Sequence, residues 1–343
     1  MNLIVNQQPL IVEREAATVA DFLRDRNLPE KAIVVAINGD IVAKTDWPTT
    51  VLKEGDDVEI VRAVSGGDHV TFEPDPLVIA GRAFSSRLFL GTGKYPDTRS
   101  MTDALAISGT EMVTVAIRYM NLDALNGDAT SLLDELDLTK YHLLPNTAGA
   151  YTTADAVKMA RLARAATGTN WIKLEVIGDQ QTLWPDVAAT IEATKLLVAE
   201  GFVVLPYTSP NLVAALRLEE AGAATVMPLA SPIGSGQGMQ DWTSIQRIVE
   251  RISVPVVVDA GIGVPSDAAL AMEIGADAVL VNTAVARAND PVRMALAMKL
   301  GVEAGRHSHL AGRIARTTHA NASSPTTGVP LATAAAGAGG VIE

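Results

Sequence analysis

A lysine and a glutamate interrupt an otherwise apolar segment near the middle of the chain. Lys173 and Glu175 occupy alternate positions, and the residues between and around them are apolar. A two-residue period is typical of a β-strand, so the charged pair points to one face and Ile172, Leu174 and Val176 to the other. Burying two charged side chains is unfavourable unless they form an ion pair or take part in a reaction. The segment therefore holds either a supporting ion pair or part of an active site.

A second carboxylate occupies a similar position further along the chain. Asp259 ends the apolar segment 255–259, at the carboxyl end of a predicted strand. Active sites of parallel β/α barrels lie at that end of the strands. The alternative is that Asp259 only caps the following turn. We interpret it as a third charged group beside Lys173 and Glu175.

An amine between two carboxylates is suited to imine chemistry. A neutral lysine attacks a carbonyl carbon, and nearby acids and bases then move the protons. Burial favours the neutral amine, whereas neighbouring carboxylates favour the charged one. The sequence leaves open which of these two effects is larger.

Loop segments follow the last three predicted strands, and the first two of them are glycine-rich. They are residues 231–238, which include Gly234, residues 259–263, which include Ala260 and Gly261, and residues 282–284, which begin with Asn282 and Thr283. Glycine lets backbone N–H groups approach a phosphate, and late strands often bind phosphate in barrels. Tight turns also require glycine. Two such loops beside an inward lysine favour a phosphosugar site.

The elements that must position these residues alternate regularly from about residue 86. Helical stretches, such as 153–165, 184–200, 212–221 and 268–274, separate eight short apolar segments. Eight strand–helix units predict an α/β protein with a (β/α)₈ TIM barrel rather than an open sheet. The segments are 87–91, 112–117, 142–146, 171–177, 202–207, 225–229, 255–259 and 278–282.

Residues 1–67 have a different pattern, which predicts a small β-grasp α+β domain. A hairpin pattern precedes Thr18, a predicted N-cap, and further short strands follow before Gly66 and Gly67. We expect a linker at 68–76, the barrel domain at 77–328 and a disordered tail at 329–343. Most of the chain from about Ser308 onward is expected to be mobile.

Composition excludes several classes of function. The net charge of −12 and the lack of a basic stripe argue against nucleic-acid binding. The absence of cysteine excludes disulfides, zinc–thiolate sites and a cysteine nucleophile. The five histidines form no ligand cluster, so no metal site is predicted. No signal peptide or membrane-spanning stretch is visible, and we expect a cytoplasmic protein without a membrane partner.

The two segments resemble two proteins of thiamine biosynthesis. Across about residues 75–328 the chain resembles bacterial thiazole synthase, in residues 91–95, 256–263 and 322–325. Residues 1–67 resemble the ubiquitin-like sulfur carrier of the same pathway, most clearly in residues 35–42, Trp47 and the Gly66–Gly67 pair. The chain is therefore interpreted as a fusion of carrier and synthase.

The resemblance implies a reaction and a role for each site residue. 1-Deoxy-D-xylulose 5-phosphate, dehydroglycine and a carrier thiocarboxylate condense to thiazole carboxylate phosphate. Lys173 forms the imine, and Glu175 and Asp259 act as acid–base groups. No metal or organic cofactor is implied. The implied partners are the carrier, its adenylyltransferase and further copies of the chain, often in a homotetramer. Substrate and phosphate are held by Gly234, Ala260, Gly261, Asn282 and Thr283.

One feature departs from the carrier pattern. A carrier works through a free terminal glycine, but here Gly67 is followed by Asp68. The glycines are therefore only a linker, or the chain is cut after Gly67, or a separate carrier supplies the sulfur. The runner-up function is a Schiff-base aldolase-type barrel acting on a phosphosugar, and a non-catalytic interaction protein is a third hypothesis. The aldolase leaves residues 1–67 unexplained, and the presence of Lys173, Glu175 and Asp259 together disfavours the interaction protein.

Overall fold

The computed structural model describes residues 1–14, 17–26, 28, 33–62, 72–116, 136–321 and 323. The chain divides into two compact units, Met1–Pro74 and Asp75–Glu343. The division falls within the stretch expected to be a linker, at 68–76. Gly66, Gly67 and the tail expected at 329–343 lie outside the described residues.

The N-terminal unit is a five-stranded sheet with one helix, α1 (Val19–Asp25). In the sheet, whose order is β2-β1-β5-β3-β4, β1 and β5 are parallel and the other neighbours are antiparallel. Thr18 caps α1 as predicted, because its side-chain oxygen accepts a hydrogen bond from the Asp21 amide at 3.2 Å. This is the predicted β-grasp fold. Its strands are β1 (Asn2–Val5), β2 (Gln8–Ile11), β3 (Ile33–Ile37), β4 (Asp40–Val42) and β5 (Asp57–Arg62).

The second unit begins with a hairpin of β6 (Leu77–Ile79) and β7 (Arg82–Phe84) and continues into an eight-stranded parallel sheet. Parallel bridges at Val226–Val256 and Leu229–Asp259 join the first and last strands of the order, so the sheet closes into the predicted barrel. Each predicted segment contains one strand or most of one. The strands are β8 (Leu88–Gly91), β9 (Met112–Ala116), β10 (His142–Asn146), β11 (Trp171–Leu174), β12 (Val203–Thr208), β13 (Met227–Pro228), β14 (Val257–Asp259) and β15 (Ala278–Val281).

Helices follow most of these strands. Asp97, Thr152, Asp186, Asn211 and Asp241 accept backbone hydrogen bonds at the starts of five of them. The last helix described ends at Ala311, and Gly312 is its C-cap. Its final residues therefore lie in the stretch, from about Ser308 onward, that is expected to be mostly mobile. The helices are α2 (Thr98–Ser108), α3 (Thr153–Thr167), α4 (Val187–Ala199), α5 (Leu212–Glu220), α6 (Trp242–Val249), α7 (Pro265–Glu273), α8 (Thr283–Ala286) and α9 (Pro291–Ala311). No helix described here is long and apolar enough to cross a membrane.

The β6–β7 hairpin fills one end of the barrel. Its Leu77, Ile79 and Phe84 belong to one buried cluster with an inward side chain from each of the eight strands. Those inward residues are Phe89, Met112, Leu144, Trp171, Leu205, Met227, Val257, and both Ala278 and Leu280. The β6–β7 hairpin thus covers the amino ends of the barrel strands. It leaves the carboxyl ends of the strands uncovered, where a functional site is expected.

Ion pairs hold the start of this unit at the same end. Asp75 contacts Arg87, next to β8, at 2.9 Å and Arg306, on α9, at 2.7 Å. Arg87 is buried and also donates to the Asp277 carbonyl oxygen at 2.7 Å. Charge pairing therefore ties the first residues of the unit to its last helix.

Helices α7 and α9 approach closely at Gly305. A Cβ added at Gly305 would lie 2.8 Å from the Ala269 Cα and 2.8 Å from the Met272 Cβ, and would meet the Ala269 carbonyl oxygen at still closer range. Those atoms belong largely to backbone and cannot move aside easily. The absence of a side chain at Gly305 therefore sets the distance between the two helices.

We predict that Gly305→Ala destabilises the protein by about 1–3 kcal/mol, because overpacking outweighs the better helix propensity of alanine. Thermal unfolding of the full chain measures this change. The exposed Ser308→Ala on the same helix is the matched control and should change stability by less than about 0.5 kcal/mol. A Gly305→Ala protein that unfolds at a higher temperature would contradict the packing argument.

Candidate active site

Lys173 lies between the two predicted carboxylates inside the barrel. Its Nζ is 2.7 Å from Asp259 Oδ2 and 3.4 Å from Glu175 Oε1. All three side chains are buried. The structure thus brings together the three charged residues that the sequence singled out, and Asp259 contacts the amine rather than acting only as a turn cap.

The alternation in β11 produces this arrangement. Ile172, Leu174 and Val176 pack outward in a cluster with residues of α3 and α4, as expected. Lys173 and Glu175 therefore face the interior. Regular strand pairing ends at Leu174, earlier than predicted, so Glu175 needs another means of support.

Thr147 supplies that support from the end of the neighbouring strand. Its hydroxyl accepts a hydrogen bond from the Glu175 amide and donates one to the Glu175 carbonyl oxygen, both at 2.8 Å. Its own amide donates to the Lys173 carbonyl oxygen at 3.2 Å. This fully buried threonine fixes the backbone of both charged residues.

Electrostatics keep the amine charged in the resting site. Burial lowers the pKa of Lys173, but the attraction of Asp259 and then Glu175 raises it by more, so the pKa lies above its ordinary value. This answers the question that the sequence left open. Burial also raises the pKa of Glu175, with Lys173 opposing the shift and Asp259 adding to it. A proton is therefore held within this cluster rather than lost to water.

The charged cluster opens into a cavity of about 840 Å³ at the carboxyl ends of the strands. The cavity has room for a substrate of phosphosugar size. All five residues predicted to hold substrate line it together with the three charged residues: Gly234, Ala260, Gly261, Asn282 and Thr283.

The glycine-rich loops after β13 and β14 pack directly against each other. The Gly238 amide donates to the Gly261 carbonyl oxygen at 2.8 Å, and Ser231 donates to the same oxygen at 3.1 Å. A Cβ at Gly261, whose φ is +71°, would lie 2.7 Å from the carbonyl carbon of Ser231. The amides of Gly234 and Gly261 have no acceptor within the described part of the chain. Close packing thus requires glycine at position 261.

Sequence reasoning missed the polar side chains on the β9–β10 side of the cavity. Asn146 is the register partner of Lys173, and its Nδ2 donates to Thr114 Oγ1 at 3.4 Å. Its Oδ1 accepts from the Ala148 amide at 3.2 Å. Both side chains line the cavity. A polar residue at the carboxyl end of an apolar strand, the signal used for Asp259, also marks Asn146.

An apolar wall lies on the opposite side, and no local pattern in the sequence predicts it. The ring of the fully buried Tyr207 has its centroid 6.0 Å from Lys173 Nζ. Tyr207 donates a hydrogen bond through its hydroxyl to the Leu183 carbonyl oxygen at 3.2 Å. This wall consists of Ile177, Leu183, Ile233 and Ala260, which line the cavity, with the buried Tyr207 and Leu229 packed against them.

One more cation lines the cavity. Lys94 follows β8 in the left-handed region, with φ of +72°, and its side chain is exposed. Non-glycine residues seldom adopt this conformation, and strained backbone is enriched at functional sites. The cavity therefore carries Lys94 and Lys173 against Glu175 and Asp259.

Comparison with known families identifies both segments. Residues 78–325 match the family model described as thiazole biosynthesis protein ThiG. Residues 3–67 match the ThiS family. The ThiG match covers more than half of the chain, and its limits coincide closely with the barrel.

Individual relatives agree with these families. A thiazole synthase of Myxococcus xanthus is 55% identical over 260 residues, which cover 76% of this chain and 99% of the relative. A thiazole synthase of Paramagnetospirillum magneticum is 45% identical over 332 residues, covering 96% of this chain and 100% of the relative. The second relative thus matches both segments within one chain.

A solved structure shares the barrel. A chain of the Amycolatopsis orientalis BexX/CysO complex superposes with a TM-score of 0.64 at 37% identity, covering 71% of this chain and 98% of that one. The fold, the family models and the relatives agree. This chain belongs to the ThiG family, the thiazole synthases of thiamine biosynthesis, and carries a ThiS-family domain at its N-terminal end.

Proposed function

We propose that the barrel condenses 1-deoxy-D-xylulose 5-phosphate, dehydroglycine and a carrier thiocarboxylate to thiazole carboxylate phosphate through an imine on Lys173. The single observation that carries the proposal is the position of Lys173, 2.7 Å from Asp259 and 3.4 Å from Glu175 in a buried cavity. An amine held this way has a proton acceptor at hand when a ketone arrives.

The first step follows from these positions. Lys173 transfers a proton to a neighbouring carboxylate, and its neutral nitrogen attacks the C2 carbonyl carbon of the ketose. The carbonyl oxygen takes up protons and leaves as water, so that an imine remains. Glu175 suits the role of proton carrier, because its raised pKa lets it accept and return a proton. Asp259 then faces the imine nitrogen and neighbouring carbons as the second acid–base group.

The phosphate is proposed to bind at the glycine-rich loops. Gly234 and Gly261, whose amides have no acceptor within the part of the chain that the structure describes, line the cavity together with Ala260, Asn282 and Thr283. Backbone N–H groups are suitable donors to phosphate oxygens. The substrates require no metal or organic cofactor for this chemistry.

Sulfur is proposed to come from a ThiS-type thiocarboxylate made with a carrier adenylyltransferase. Gly67 has no free carboxylate in the intact chain, because Asp68 follows it. The barrel unit begins at its plugged end, opposite the cavity, and residues 68–76 span at most ~30 Å when extended. The donor is therefore a chain cut after Gly67 or a separate carrier. We also propose that copies of the chain associate as a homo-oligomer.

The aldolase-type alternative would use the same lysine and the same loops. It leaves the ThiS-family segment unexplained, and the relatives named thiazole synthase disfavour it. Turnover that needs no sulfur carrier would favour the alternative.

Borohydride trapping tests the imine. Incubation with 1-deoxy-D-xylulose 5-phosphate followed by reduction should add one sugar phosphate to the peptide containing Lys173, as measured by mass spectrometry. Lys173→Ala should abolish the adduct, whereas Lys158→Ala, at an exposed position of α3, should leave it unchanged. An adduct on another lysine would exclude the assigned role.

The pH dependence of trapping tests the role of Asp259. Imine formation needs neutral Lys173, so its rate rises as pH rises through the pKa of the amine. Asp259→Asn removes the nearer negative charge, which lowers that pKa and moves the midpoint of the rate profile to lower pH. Asp290→Asn, an exposed N-cap of α9, should leave the midpoint unchanged. A midpoint that stays in place or rises in Asp259→Asn would refute this electrostatic account.

Intact-mass measurement tests the source of sulfur. With ATP, carrier adenylyltransferase, a sulfur donor, 1-deoxy-D-xylulose 5-phosphate and dehydroglycine, the uncut chain should gain no thiocarboxylate and form no thiazole product. Adding a separate 1–67 chain that ends in a free Gly67 should restore product, and the same chain ending in Gly66 should not. Sulfur transfer by a chain shown to be uncut would disprove the proposal.

A further inference from the structure

The position of the Glu175 carboxylate depends on the backbone that carries it. The carboxylate lies 3.4 Å from Lys173 Nζ and, among the described residues, forms no hydrogen bond or ion pair with any other side chain. Strand β11 ends one residue earlier, at Leu174. The backbone of Asp259, by contrast, lies within β14, pairs with β15 and accepts from the Ala230 amide at 3.0 Å. Of the two carboxylates, Glu175 therefore has the weaker support from the sheet.

The Thr147 hydroxyl replaces a bond that the sheet lacks at this point. Asn146 pairs with Lys173, and the Thr147 amide donates to the Lys173 carbonyl oxygen at 3.2 Å. A regular parallel ladder would next join the Glu175 amide to the Thr147 carbonyl oxygen. That carbonyl oxygen accepts from the Ala150 amide at 3.0 Å, because the chain turns there. The Glu175 amide therefore donates to the Thr147 side chain, at 2.8 Å.

This contact requires a hydroxyl, because one side-chain atom must both accept and donate. The Thr147 oxygen accepts from the Glu175 amide, and its O–H donates to the Glu175 carbonyl oxygen at 2.8 Å. Threonine and serine carry both functions on one oxygen, whereas valine has nearly the same shape and neither function. Thr147 is fully buried, so bulk water cannot replace either bond.

We propose that Thr147 is a positioning residue for the imine reaction, and that its hydroxyl keeps the Glu175 carboxylate close enough to the amine to accept and return protons. The inference rests on the proposed imine at Lys173. Without the hydroxyl, the Glu175 backbone loses two bonds and the carboxylate moves away from Lys173 Nζ. The loops proposed to bind phosphate follow β13, β14 and β15. The reaction is therefore slowed, while binding of the ketose phosphate is retained.

The test follows adduct formation with 1-deoxy-D-xylulose 5-phosphate on the full chain, with timed samples reduced by borohydride. Thr147→Val should lower the maximal rate by roughly 10- to 10²-fold, because a misplacement of about 1 Å costs this much. The half-saturating sugar concentration should not change, and Thr147→Ser should restore most of the rate. The matched control is Thr194→Val in α4, a fully buried threonine that donates to the Thr190 carbonyl oxygen at 2.8 Å. It should keep the parent rate.

Two further measurements show whether Thr147 acts through Glu175. In a Glu175→Gln chain, Thr147→Val should change the remaining rate by less than about twofold, because residues that act as a unit have non-additive effects. In the otherwise unchanged chain, Thr147→Val should also move the midpoint of the pH–rate profile to lower pH. Moving Glu175 away weakens one of the attractions that raise the pKa of Lys173. The shift should be smaller than in Asp259→Asn, because Asp259 has the larger effect on that pKa.

The outcomes separate this inference from the proposed function. An equal loss of rate from Thr147→Val with and without Glu175→Gln, or an unchanged midpoint, would overturn the inference and leave the imine intact. The same loss in Thr194→Val would also overturn it. Absence of a Lys173 adduct in the parent chain would overturn the imine and, with it, the inference. If Thr147→Val does not fold, Thr147→Cys carries the same comparison, because a thiol is a weaker donor and acceptor than a hydroxyl.

Discussion

The site depends on one buried ionic cluster, in which Lys173 is shared between Asp259 and Glu175. A lone lysine at this depth would lose its proton, and a lone carboxylate would gain one. The two carboxylates together raise the pKa of Lys173 above its ordinary value, so the amine keeps its proton in the resting site. Removing one member of such a cluster leaves an unpaired buried charge, which is strongly unfavourable. The same cluster therefore constrains the packing of the barrel interior and prepares the amine for reaction.

The rest of the barrel serves to place that cluster. The β6–β7 hairpin and nine inward apolar residues from the eight strands fill the amino end, and the cavity beside Lys173 lies at the carboxyl end. Thr147 then extends the support of β11 beyond its last paired residue, as far as Glu175. The loops after β13 and β14 pack through Gly261, and the amides of Gly234 and Gly261 have no acceptor among the described residues. Apolar packing thus fixes where the polar groups can be.

Much of this could be predicted from the sequence, because it depends on local pattern. The two-residue period placed Lys173 and Glu175 inward and Ile172, Leu174 and Val176 outward, and the repeated apolar segments predicted the closed barrel. The missing parts depend on long-range contacts. The hydrogen bond from Tyr207 to Leu183 joins a strand to a distant loop, and the left-handed conformations of Leu183, Ala260 and Lys94 occur at residue types that give no signal for them. Helix α9 continues beyond Ser308 into a polar stretch that looked like a tail.

The most direct test of the account is a crystal structure of the protein soaked with 1-deoxy-D-xylulose 5-phosphate. The account predicts continuous density from Lys173 Nζ to C2 of the sugar, with Glu175 and Asp259 flanking the new bond and the phosphate at the amides of Gly234 and Gly261. A sugar bound without a covalent link to Lys173, or with its phosphate away from these loops, would contradict it.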